Sequence, residues 1–314
     1  MTRPTILFCG EALIDFITTD GATYRATPGG SPYSASKATA QAGGQAGFCG
    51  AISTDLFGEE IMADLAAYGV DTTHAPRSDD PTILGFIQVS AHDHPRYAFF
   101  DRDSATVNMA PALPAGTLRE GDILGIGSIS LIVSPGADNV AEFALAQRPM
   151  AILALDPNVR PGMIEGHAAW RPRMDRLMAG SDIIKISRED MDFYAPNDTA
   201  ESFARAHLAR AARLVLVTDG ENGATAFTAS GSVHMPAPVA AGGDTVGAGD
   251  TLLGYALTWL AERGATRPDA LAALGPDALA EMLRLSVTAA SMNCRTTGCN
   301  PPARREVEAE LMRA

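Results

Sequence analysis

The chain contains no run of 18 or more apolar residues, so nothing in it reads as a membrane-spanning helix. It is short of positive charge: 24 Lys and Arg stand against 37 Asp and Glu, a formal net charge of −13 at pH 7. A nucleic-acid surface needs clustered basic residues to neutralise phosphates, which argues against that class of partner and still allows a local basic pocket for a nucleotide. Cysteine is scarce. The four thiols, Cys9, Cys49, Cys294 and Cys299, form no Cys-x-x-Cys pair and have no matching His spacing. That argues against a structural zinc and a disulfide framework and leaves reduced, buried thiols as the expectation. There is no long repeat and no low-complexity linker, and the N-terminal stretch enters strand-like sequence without a signal-peptide cleavage region. These absences predict a cytoplasmic protein whose partners include neither membrane nor nucleic acid.

What is present is an alternation of short buried strands with helix-compatible segments. Thr5 to Cys9, Asp122 to Ile126, Ala151 to Leu155, Asp182 to Ile186 and Leu214 to Thr218 are apolar or β-branched runs, each followed by turn residues. This pattern predicts an α/β fold around a parallel sheet. Such sheets place ligands beyond the carboxyl ends of their strands, where this chain carries Gly10-Glu11, Gly127-Ser128, Asp156-Pro157-Asn158, Ser187-Arg188 and Thr218-Asp219-Gly220. Ala200 to Ala212 and Pro276 to Ser291 read as packing helices, and Arg304 to Ala314 as a charged peripheral one. At 314 residues the chain slightly exceeds the usual single-core range of roughly 250 to 300, which fits one large domain, 1–314, with a small added element.

Two segments depart from the alternation. Leu13 to Thr27, broken at Asp20-Gly21, and Thr82 to Phe100, broken at Ala91 to Pro95, read as β-hairpins. Together they predict a small sheet, a discontinuous lid over about 12–28 and 82–103. Such a lid covers a polar site and excludes water. Its apolar residues Leu84, Phe86, Tyr97 and Phe99 also suit pairing with a second subunit, so a homodimer through the lid is expected. His92-Asp93-His94 resembles a ligand set superficially, but neighbours in a tight turn point apart, and no metal is expected there.

The stretch from Gly242 to Leu260 carries most of the chemistry. Leu252, Leu253, Ala256, Leu257 and Leu260 recur at helical spacing, so a helix begins near Gly249 with free N–H groups facing the glycine-rich loop. An anion is the natural guest of that positive end. Asp250 sets a carboxylate beside the same pocket, which suits a base that takes the proton of an attacking hydroxyl as a phosphoryl group arrives.

Two motifs stand about two hundred residues apart: Pro28-Gly29-Gly30-Ser31-Pro32 with Gly50, Asp55 and Phe57-Gly58, and Asp244-Thr245-Val246-Gly247-Ala248-Gly249-Asp250. In both, and over nearly its whole length, the chain resembles the ribokinase-like (PfkB) carbohydrate kinases, and within them the fructokinase and 2-keto-3-deoxygluconate kinase branch. The resemblance implies a Rossmann-like α/β/α sandwich with a small β-sheet lid, ATP as donor, Mg2+ as counter-ion and a sugar hydroxyl as acceptor. It makes Asp250 the general base and the amides of Gly247, Ala248 and Gly249 the anion hole. It assigns Asp15, Gly29, Gly30 and Arg160 to the sugar or phosphate. Thr218, Gly220 and Gly223 correspond to the family's ATP-contacting turn, and Asn293 to the segment flanking adenine. Lys185 to Asp190 occupies the place of an Asn-x-x-Glu motif, with Ser187 and Asp190 standing in. Asp190 is then expected to meet magnesium through water, since Asp is one methylene shorter than Glu. Asp244 suggests a monovalent cation site, such as one for K+.

The sugar end departs from the family. Phe100 stands where a tyrosine is common and Ser34 where an asparagine is usual, which loosens the polar grip on a sugar. Arg102, if turned inward, would favour a sugar acid. The expected reaction is phosphorylation of a primary hydroxyl, fructose to fructose 6-phosphate. The alternatives are a 2-keto-3-deoxygluconate kinase, a nucleoside kinase, or a non-catalytic sugar-sensing protein.

Overall fold

A computed structural model describes residues 3–18, 20–88, 96–238 and 244–313. The His92-Asp93-His94 turn and Gly242 lie outside the described residues. In chain order the first strands are β1 (Thr5–Cys9), β2 (Leu13–Thr18), β3 (Arg25–Gly29), β4 (Gln45–Phe48), β5 (Ile52–Ser53), β6 (Arg77–Ser78), β7 (Ile83–Gln88) and β8 (Arg96–Phe100). There follow β9 (Asp122–Gly127), β10 (Ala151–Asp156), β11 (Ile183–Ser187), β12 (Leu214–Thr218), β13 (Ala224–Thr228) and β14 (Gly231–Met235).

The main sheet has eight strands among the described residues, in the order β14-β13-β12-β11-β10-β9-β1-β4. From β4 to β12 every pairing is parallel, and β13 and β14 add an antiparallel edge. Alternation along the strands divides the interior into two cores. Ile6, Phe8, Ile123, Ile152, Ile183 and Leu214 pack toward the helices Ser31–Gln41, Ala248–Glu262 and Pro276–Asn293. Their neighbours Leu7, Cys9, Leu124, Leu153, Ile184 and Val215 pack toward Gly136–Gln147, Trp170–Gly180 and Ala200–Leu208. Burial on both faces is what makes these strands read as continuous apolar runs rather than alternating ones. The fold is therefore the α/β sandwich that the sequence predicts.

Strands β4, β13 and β14 are additions to the sequence reading. Gln45-Ala-Gly-Phe is four residues long with a glycine inside, and the exposed and half-buried pattern of Gly231–Met235 carries little apolar signal. Because β1 pairs with β4 on one side and β9 on the other, the chain leaves β1 in both directions across the sheet. A crevice opens at the carboxyl end of such a crossover.

The two hairpins join in one four-stranded sheet, β3-β2-β7-β8, with β2 and β7 parallel at its centre. Asp55 fixes its base. Oδ1 caps the helix Leu56–Ala67 by accepting from Gly58 N–H, and also accepts from the Thr82 hydroxyl. Oδ2 accepts from Thr82 N–H, one residue ahead of β7. Among the described residues no helix is long and apolar enough to cross a membrane.

Candidate active site

A cavity of about 1220 Å³ lies between the lid and the carboxyl edge of the main sheet. Its wall holds Asp15, Gly29, Gly30, Ser34 and Phe99 at the lid end. Thr218 to Gly223, Val287, Ala290 and Cys294 form the other end, and Asp244 to Asp250 run along the wall with them. A single ligand of drug size fills roughly 300 to 1,000 Å³, so this space suits two substrates side by side.

The loop before the Ala248–Glu262 helix is built by one backbone turn. Ala248 N–H donates to Thr245 O at 3.2 Å, and Gly247 sits at φ 76°, ψ 2°. Those angles are what the third position of a type II turn demands, and a Cβ there would lie 2.4 Å from Cys299 Sγ. The turn changes the expected anion hole: the Ala248 amide is taken by Thr245. The N–H groups of Gly247, Gly249 and Asp250 meet no protein acceptor among the described residues, and these are the donors left for an anion. Lys185 adds positive charge behind them, its Nζ lying 2.6 Å from where a Cβ on Gly249 would stand.

Asp250 is buried at this helix start and accepts on Oδ1 from the Ser31 hydroxyl at 2.6 Å. Burial pushes its carboxyl up to about 7, and the neighbouring Asp156 adds to the rise. Lys185, the Ser31 hydrogen bond and Arg160 oppose it. Lys185 forms a buried ion pair with Asp156 Oδ2 at 2.8 Å. Burial disfavours its charge, but Asp156, Asp190 and Asp250 together hold its pKa above the usual range. Lys185 thus sits beneath the glycine loop, beside Gly249.

Asp15 projects from β2 into the cavity, and burial lifts its carboxyl to about 7, with Arg160 opposing and Glu11 adding to the rise. Its carboxylate occupies the space that Gly29 and Gly85 leave by lacking side chains. A Cβ on Gly29 would come 2.4 Å from Asp15 Oδ2, and one on Gly85 2.7 Å from Oδ1. Arg160 lines the cavity with its Nη1 donating to Asn158 Oδ1 at 2.6 Å. Ser34 lines the wall as a buried residue, and Gly30 caps the Ser31–Gln41 helix. Ser187, Thr218, Gly220 and Gly223 all face the cavity, as does Asp190. Ser187 Oγ accepts from Asp190 N–H, and Asp190 Oδ1 accepts from Val159 N–H at 2.9 Å.

Three expected contacts are displaced. Phe100 is 65% exposed and packs edge-on against Phe86, because β8 alternates and turns Phe99 inward instead. Arg102 is exposed and absent from the cavity wall. Asn293 is fully buried behind the loop, its Nδ2 donating to Val246 O and its Oδ1 accepting from Asn300 N–H. It braces the loop and is absent from the cavity wall. Three cavity residues were given no ligand role by the sequence reading: Phe99, which it set on the outer apolar face of the lid, Ser31, and Glu11, whose buried carboxylate accepts from Ser31 N–H and Ser130 N–H at 3.0 Å each.

The chain matches the pfkB family carbohydrate kinase profile over residues 3–305. A fructokinase of Rhizobium leguminosarum bv. trifolii is 31% identical over 250 residues, 78% of this chain and 76% of its own length. The structure of Xylella fastidiosa fructokinase with bound ATP matches with a TM-score of 0.88 at 23% identity, covering 99% of both chains. The fructokinase of Vibrio cholerae O395, with fructose, ADP and a calcium ion bound, gives 0.85 at 21% identity over 98% of each. The structural likenesses establish the fold, and the sequence match over nearly the whole chain establishes the family: this protein belongs to the pfkB family of carbohydrate kinases.

Proposed function

We propose that the chain is an ATP-dependent fructokinase that converts fructose to fructose 6-phosphate as one kinase domain with a discontinuous lid. The observation that carries this reading is the buried carboxylate of Asp250 beside backbone donors without protein acceptors among the described residues, in a cavity with room for two substrates. A sugar hydroxyl entering under the lid gives its proton to Asp250. Its oxygen attacks the γ-phosphorus in line while the bond to the β-phosphate oxygen breaks. The N–H groups of Gly247 and Gly249, with Lys185 behind them, stabilise charge on the transferring group. Asp15 accepts from sugar hydroxyls, and Phe99 packs on the ring's apolar edge. The 31% identical relative named as a fructokinase supports the choice of sugar.

Magnesium fits through the donor chemistry. Among the described residues no group of three or more His, Cys, Asp or Glu is placed to hold a metal ion. An ion carried by nucleotide phosphates and water, with Asp190 in its outer sphere, matches that supply. When bound it would neutralise the β- and γ-phosphates. Both carboxylate oxygens of Asp244 are taken by the N–H groups of Val246 and Gly298, so a K+ ion near this loop would be held by main-chain carbonyls. The free thiols suit a reducing cytoplasm, and the lid's outer face suits a homodimer.

The test is a panel of sugars and sugar acids incubated with ATP and read by the mass shift of phosphate transfer. Fructose should show the highest kcat/KM. With Arg102 outside the cavity wall, 2-keto-3-deoxygluconate should be the poorer substrate; the reverse order would assign the chain to sugar acids.

A further inference from the structure

We propose that Ser31 is a positioning residue for the base: held by Glu11 through its own backbone N–H, it donates its hydroxyl to Oδ1 of Asp250 and leaves Oδ2 for the acceptor. This rests on the reading of Asp250 as the base. The geometry is a relay across the fold. Glu11, at the carboxyl end of β1, uses Oε1 for Ser31 N–H at 3.0 Å and Oε2 for Ser130 N–H at 3.0 Å, which locks its carboxylate in one orientation. Ser31 is buried as the first residue of the Ser31–Gln41 helix, and its Oγ lies 2.6 Å from Asp250 Oδ1. That helix packs along the Ala248–Glu262 helix with Gly254 at the contact, where a Cβ would come 2.7 Å from Ala38 Cβ. Ser31 also borders the cavity, so it is the hydrogen bond to Asp250 Oδ1 that sets the direction of its hydroxyl.

A carboxylate with one oxygen engaged presents the other in a fixed direction, and a donor to the ionised form favours that form over the protonated one. The other groups facing Asp250 are Asp156 at the end of β10, Arg160 beyond it, Lys185 on β11 and Cys299 beside the loop. None of these is altered by a change at Ser31. Burial lifts Asp15 to about 7 as well, but the groups acting on its charge are Arg160 and Glu11, not the Ser31 hydroxyl. A change at Ser31 therefore moves the Asp250 component of the profile alone.

The experiment is the pH profile of fructose kcat/KM for the unaltered chain, Ser31→Ala and Ser31→Thr, with Asp250→Asn run alongside. Ser31→Ala should move the acid limb up by about one pH unit, a roughly tenfold loss at pH 6 that shrinks as pH rises. Ser31→Thr, which keeps the donor, should keep the limb in place. If Ser31→Ala does not fold, judged by nucleotide binding in calorimetry, Ser31→Cys replaces it, since a thiol is a weak donor of similar size. An unmoved acid limb in the donor-poor variant, or an equal loss at every pH, overturns the role of Ser31. Near-normal turnover in Asp250→Asn would instead overturn the base itself, so the two failures are distinguishable.

Discussion

Asp250 occupies a place where a carboxylate costs stability. Its pKa is about 7 in the folded chain, against 3.8 for the free group. The native state thus holds the proton more tightly than the unfolded chain does. The group's contribution to stability is fully present below about pH 4 and is lost as pH rises through about 7. Asp250→Asn keeps the shape and an acceptor for Ser31 while removing the charge. At pH 8 it should melt roughly 1 to 2 °C higher, equivalent to about 1 kcal/mol, with the gap closing near pH 4. Its kcat at pH 8 should fall by about 10² to 10⁴. Calorimetric melts and a coupled assay on one preparation check both, and a variant that melts lower at pH 8 would contradict the buried-charge account. Asp250 was legible in the sequence because its signal is local, a glycine loop ahead of an apolar helix. Ser31 was not legible as its partner, because their contact spans 219 residues of chain and depends on how two helices pack.

At the scale of the element, strand parity decides which residues of the small sheet face the cavity. Asp15 is paired with Thr27 on one side and Gly85 on the other, and Gly85 with Phe99. This row faces the cavity, while Phe16, Phe86 and Phe100 face outward. A one-residue error in register exchanges the two faces. The sequence reading reached Phe100 through resemblance to a family pattern and set Phe99 with Phe86 on one apolar lid face; the hairpins were visible as apolar runs, but the parallel pairing of β2 with β7 that sets the register, and puts Phe99 and Phe86 on opposite faces, was not. Asn293 was assigned through the family segment that flanks adenine; the helix read from the sequence stopped at Ser291, whereas it runs to Asn293 and turns that side chain to the loop. Phe99→Ala should raise the KM for fructose about tenfold through lost apolar contact. Phe100→Tyr, on the outer face, should stay within about twofold. Initial-rate kinetics on the two variants decide the orientation of β8, and a larger KM change at Phe100 would reverse it.

For the whole molecule, the crossover at β1 brings the two sequence motifs, far apart in the chain, to opposite sides of one cleft, with Ser31 and Asp250 in contact across it. The small sheet beside this cleft has a second surface. Phe16 stacks on Phe86 with ring centroids 5.0 Å apart, and Tyr24 and Phe100 pack edge-on around them. Phe100 remains 65% and Tyr24 43% exposed. Aromatic rings grouped and partly exposed on an outward sheet face favour burial against a like face, and a two-fold pairing of lids would satisfy both copies at once. The unaltered chain at micromolar concentration should therefore show a dimer mass by light scattering. Phe100→Glu places a charge in that contact, where leaving water without a partner is costly, and should shift the mass to the monomer while the far-UV spectrum holds. A monomer for the unaltered chain under the same conditions would show that the outer aromatic face is covered by nothing of its own kind.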